Sequence, residues 1–132
     1  MPAPILALSQ PKFVDAVRQA LRDLHRPDRL ASNPLLRSRI ACDRAGEEPP
    51  AAVLQLIREA VGVLRTDPRA EKLYRALDRT YLRPARTQER AAEVLGLPFS
   101  TYRRHLTRAV ERVVSLLWER ELHGLGNTAY QQ

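Results

Sequence analysis

Three arginines, Arg103, Arg104 and Arg108, stand close together in the run TQERAAEVLGLPFSTYRRHLTRAV, residues 87–110. A guanidinium group is a planar fork of donors that matches phosphate oxygens and the O6/N7 edge of guanine. Ser100, Thr101 and Thr107 add hydroxyl groups at helical spacing from the arginines. Such a set suits hydrogen bonding to nucleic acid. It lacks the paired groups that bond-making chemistry needs.

Little elsewhere points to catalysis. His25, His105 and His123 are far apart, and none has a metal-ligand spacing to another His or to Cys42. There is no phosphate loop, nucleophile elbow or glycine-rich cofactor turn. Glu47 with Glu48, and Glu119 with Glu121, read as solvated loop and helix-end carboxylates. The expectation is a protein that is not an enzyme and uses no metal or cofactor.

The chain of 132 residues fits one domain or two small ones, and 44% hydrophobic residues suffice for a packed core. Its 22 basic residues outnumber 15 acidic ones, and all but Lys12 and Lys72 are arginine. The resulting +7 attracts polyanions, although a compositional bias toward arginine gives the same figure. Position has to decide between them. The lone Cys42 suggests a reducing, cytoplasmic compartment. No apolar run approaches the ~20 residues that span a bilayer, so no membrane partner is expected. The opening MPAPILALSQ lacks the basic start of a secretory leader.

Every apolar pattern has the helical period, and none alternates as a strand would. Ser9 caps a first helix over about Pro11–His25, with Phe13, Val17, Leu21 and Leu24 on one stripe. A helical turn is expected at Asp28–Ala31, and Asn33 with Pro34 begins a short helix through Ile40. CDRAGEEPP, residues 42–50, reads as a linker or a surface loop. Pro50–Arg65 follows as a strongly apolar helix, with Val53, Ile57, Val61 and Leu64 on one side and Leu54, Leu56 and Val63 widening it. Asp67 and Pro68 open a helix to Leu82, closed by Pro84. Thr87 caps Gln88–Leu95, Gly96 ends it, and a last helix runs from Phe99 to about Leu122. The fold class is therefore all-α, a helical bundle with a long last helix. The expected division is a helical segment over 1–48, a helix-turn-helix module over 49–124 and a flexible tail over 125–132.

Residues 87–110 also have a mechanical logic. Ala92 is small enough for the second helix to cross closely over the first, Gly96 permits a left-handed turn, and Leu97 plugs the gap. Val94 or Leu95, with Tyr102, Leu106 and Ala109, form the expected seam. Ser100, Thr101, Arg103, Arg104, Thr107 and Arg108 are left outward as candidate DNA-binding residues, on a helix slim enough for the major groove.

Ala92, Leu95, Gly96, Leu97, Thr101, Arg103, Leu106, Arg108 and Ala109 match, in order and spacing, a known pattern. The run resembles the helix-turn-helix of the fourth conserved region of bacterial sigma factors and of related response-regulator output domains. The resemblance covers about residues 68–118 and implies a four-helix DNA-binding module whose last helix reads the groove. Ala91 stands where that pattern has a large aliphatic residue, Tyr102 where it has Val or Ile, and Pro98 where it has a Ser or Thr cap. Ser100 is then the substitute cap. The first 66 residues match no other sigma-factor region, so a complete sigma factor is not expected.

The function expected is double-stranded DNA binding, as a bacterial transcriptional regulator or as the DNA-binding module of a larger signalling protein. The alternative is a helical adaptor or oligomerisation module that binds protein, including a second copy of itself through the end of the last helix. RNA comes third, because the exposed aromatic residues that stack on single strands are missing. Arg75, Arg79, Arg83 and Arg86 approach the same region and are phosphate candidates, unless Arg75 and Arg79 pair with Glu71 and Asp78.

Overall fold

A computed structural model describes residues 8–44, 46 and 48–130, with residues 124–130 described by their backbone alone. The expectations for the first seven residues, for Ala45 and Glu47, and for residues 131–132 fall outside that range. The described residues are all-α, with no strand among them. The helices are α1 (Gln10–Arg22), α2 (Pro27–Leu30), α3 (Arg39–Cys42), α4 (Pro49–Thr66), α5 (Glu71–Leu77), α6 (Gln88–Leu95) and α7 (Phe99–Tyr130). The chain packs as two units, one of Met1–Arg58 with Val114–Gln132 and one of Glu59–Val113.

In the first unit, Ser9 caps α1 by accepting the Lys12 N–H, and Phe13, Val17, Leu21 and Leu24 are all buried. Asp23 ends the helix three residues after Ala20, so α1 stops at Arg22, short of His25. Phe13 meets Trp118 at 5.1 Å between ring centroids, tilted by 59°. Burying rings of this size supplies much of a small core's hydrophobic stabilisation. Buried Asn33 accepts the Leu35 N–H at 2.8 Å and donates to the Ala16 carbonyl at 3.0 Å, tying the loop to α1.

The helix expected from Asn33 to Ile40 is broken in two. Pro34–Arg37 is a 3₁₀ turn, Ser38 is extended at ψ 158°, and α3 starts after it. Ser38 Oγ accepts the Ala41 N–H, which makes it a cap inside what reads as one continuous helix. Glu121 is also unlike its expected role as a solvated carboxylate. It is buried and caps α3 from α7.

In the second unit, Asp67 caps the 3₁₀ turn Pro68–Ala70 and lies 3.8 Å from Arg112. Helix α5 gives way to a π-helical turn over Asp78–Leu82, closed by the Arg83 N–H on the Asp78 carbonyl. The regular helix expected to Leu82 thus widens in its last turn. Within it, Thr80 Oγ1 donates to the Ala76 carbonyl and shares a hydrogen bond with the Tyr102 hydroxyl. Ala76, Leu77, Ala91, Ala92, Tyr102, Leu106, Ala109 and Val113 are buried. Val63, expected to widen the apolar face of α4, is instead 44% exposed. The backbone of α7 continues past Leu122 to Tyr130, taking in residues 125–130 set apart above as a tail. No helix among the described residues is long and apolar enough to cross a membrane.

Candidate nucleic-acid interface

Helix α6 begins and ends, and α7 begins, where local chemistry requires. Thr87 accepts the Arg90 N–H and opens α6. Gly96 ends it at φ 69°, a left-handed conformation that side chains resist. The Leu97 N–H bonds the Ala92 carbonyl and the Gly96 N–H bonds the Glu93 carbonyl, the paired closure that finishes a helix in a tight turn. The Pro98 carbonyl accepts the Tyr102 N–H as the first bond of α7, so Pro98 holds the N-terminal boundary position with no side chain to cap it. Ser100 lies inside the helix and exposed, past the capping position expected of it.

Tyr102, Leu106 and Ala109 are buried, which sets the register of α7. The seam differs from expectation on the α6 side. Val94 is 43% exposed and Leu95 half-buried, while Ala91 and Ala92 are the residues covered. Ala91 and Ala92 bring little volume to the buried seam, and the bulk comes from Tyr102 in place of a branched aliphatic residue. The hydroxyl that this ring brings inside is satisfied by Thr80.

Given that register, Ser100, Arg103, Arg104, Thr107 and Arg108 are all exposed on α7. Thr101 is half-buried and only partly shares their face. Arg103 has a neutral partner, since its Nη1 donates to Oε1 of Gln88 at the start of α6. That bond joins the two helices of the motif and orients one guanidinium. Gln88 was not singled out by sequence; a long-range amide partner obeys no spacing rule.

His105 sits among these cations. It is half-buried, and its Nδ1 is buried with no hydrogen-bond partner. Burial holds its pKa below the ordinary value of 6.5, and the charges of Lys72, Arg104 and Arg108 push the same way. Lys72, on α5, thereby adds a cation to this neighbourhood that the motif did not reveal. Phe99 begins α7 43% exposed, with its ring 6.0 Å from that of Tyr102.

Arg75, Arg79 and Arg83 lie together elsewhere in the unit, lining a cleft with Arg65. The expected pairing of Asp78 with Arg79 is replaced. Buried Asp78 takes two donors from Arg83, Nε at 3.2 Å and Nη2 at 2.5 Å. Arg86 is exposed in the turn before α6.

Among the described residues, no group of three or more His, Cys, Asp or Glu is placed to hold a metal ion. Burial, then Asp43 and Glu121, push the Cys42 thiol above its ordinary range, the opposite of an activated nucleophile. Comparison with protein-family models, curated proteins and solved structures finds no match for this chain.

Proposed function

We propose that the second unit binds double-stranded DNA, with α7 as the recognition helix, and that the protein regulates transcription in a bacterial cytoplasm, alone or as a module of a larger signalling protein. The observation that carries this reading is the register of α7. Burial of Tyr102, Leu106 and Ala109 turns Ser100, Arg103, Arg104, Thr107 and Arg108 outward together, immediately after the left-handed turn at Gly96.

The chemistry suits a duplex for three reasons. Arginine forks reach guanine edges in the major groove and phosphates at its rim. The Gln88 bond favours an outward orientation of Arg103 along the motif, which reduces the entropy lost on binding. The first N–H groups of α7 have no side-chain acceptor at Pro98, and such donors favour an anion near a helix start.

A second reading has one observation in its favour. Phe99 and Val94 are exposed apolar residues at the edges of the motif, as a protein-binding adaptor would have. Titration of random duplex DNA into the full chain, at low and then high salt, decides between them. Binding that weakens linearly in log–log form with salt supports the DNA reading. A chain that ignores duplex DNA at low ionic strength requires the adaptor reading instead.

A further inference from the structure

The arginine-lined cleft of the second unit lies on α5, its π turn and the ends of α4 and α6. Its volume is about 410 Å³, within the range of about 300–1,000 Å³ typical of small-molecule sites. Arg65, Arg75 and Arg79 line it beside Tyr74, Val94 and Leu95. Glu71, Arg75, Arg79 and Arg83 recur every four residues, so α5 and its π turn supply one charged wall.

The charges do not balance. Asp78 is already engaged by Arg83 through a two-donor contact, which stiffens that end of the wall. Arg65, Arg75 and Arg79 have no ion-pair or side-chain hydrogen-bond partner among the described residues. Three arginines therefore line one cleft with only Glu71 left to oppose them. Like charges lining one cleft favour a multiply charged anion, and guanidinium forks match phosphate oxygens.

The rest of the lining is not what a bare anion needs. Tyr74 offers a half-buried ring, and the exposed Val94 with Leu95 offers an aliphatic surface. A flat heterocycle can stack on the first and cover the second. Glu71 repels phosphate at its end of the cleft and accepts from sugar hydroxyls, giving the ligand a direction. Duplex DNA presents its phosphates on a broad convex surface, which an open helix face meets better than a cleft.

We propose that this cleft binds a nucleoside polyphosphate, with Arg65, Arg75 and Arg79 on the phosphates and Tyr74, Val94 and Leu95 against the base. The proposal does not rest on DNA binding by α7. Calorimetric titration of the full chain at low salt tests it with ATP, inorganic pyrophosphate and adenosine as separate probes. ATP should saturate one site, pyrophosphate should compete more weakly, and adenosine should bind weakest.

Arg75→Ala with Arg79→Ala should weaken ATP by about tenfold or more, the loss expected for charge-assisted contacts. Both side chains reach solvent, so a thermal melt should show the double variant folded. Arg104→Ala, on the exposed face of α7, should bind ATP like the wild type. No saturation, pyrophosphate or adenosine as tight as ATP, or equal losses in the Arg104 and double variants would each overturn the proposal.

Discussion

The carboxylate of Glu121 accepts the backbone N–H groups of Arg39 and Ile40, each at 3.0 Å, across 82 and 81 positions of sequence. A helix of four residues has almost no internal hydrogen bonding, so α3 depends on its caps. Ser38 supplies one from the local chain and Glu121 the other from α7. Glu121→Ala strands two donors beside the core and should cost about 1–3 kcal/mol. The drop should appear in the thermal midpoint, whereas Glu119→Ala, exposed two residues earlier, should melt like the wild type. Equal midpoints for both variants would remove Glu121 as a cap.

Leu106 sits in the seam under α7, 5% exposed. Leu106→Asp places an unpaired charge there and should unfold or severely destabilise the second unit. Tyr102→Phe is the milder companion. It keeps the ring and removes the bond to Thr80, for about 1 kcal/mol. A Leu106→Asp protein that melts like the wild type would mean that the register of α7 is different.

His105 makes stability depend on acidity. Its pKa is lowered in the folded state by burial first, then by Lys72 on α5 and by Arg104 and Arg108 on its own helix. The unfolded chain then binds the proton more readily, so stability rises with pH across the affected window. Its contribution should be whole above the ordinary value of 6.5 and decline as pH falls below it. His105→Gln should flatten that part of a stability-versus-pH curve measured by denaturant titration. A curve with an unchanged slope in the variant would locate the dependence elsewhere.

Arg104 and Arg108 should part company in duplex binding. If α7 reads duplex DNA as proposed, Arg104, near the start of the helix, faces base edges, and a good arginine–guanine pair discriminates by about 1–3 kcal/mol. Arg104→Ala should therefore weaken a preferred site more than random duplex. On the same reading Arg108, one turn further along, meets a phosphate that carries no sequence information. Arg108→Ala should weaken both alike and reduce the log–log salt slope by about one unit. Fluorescence anisotropy at several salt concentrations reads both effects, and identical behaviour of the two variants would count against this division of roles.

Much of this architecture is local, and local rules are legible in sequence. Ser9, Asn33 and Thr87 each cap the segment they precede, because a short side chain reaches an N–H two or three residues ahead. Phe13, Val17 and Leu21 share a stripe because 3.6 residues make a turn, and Leu24 is buried just beyond the end of α1. Gly96 takes φ 69° because the turn between α6 and α7 needs a residue without a Cβ. These features determine the helix starts, the apolar stripe of α1 and the turn between α6 and α7 from the sequence alone.

What packing decides is different in kind. Glu121 reads as a solvated carboxylate until α7 brings it to α3, and Arg103 reads as unpartnered until Gln88 meets it. Asp78 is claimed by Arg83 and not by Arg79, within a π turn that no apolar spacing announces. Val63 and Val94 have apolar side chains in helices yet remain exposed, because no neighbour among the described residues fully covers that side. A polar or apolar residue carries its chemistry in its identity. Its partner depends on which distant segment arrives beside it, and only the tertiary structure determines that.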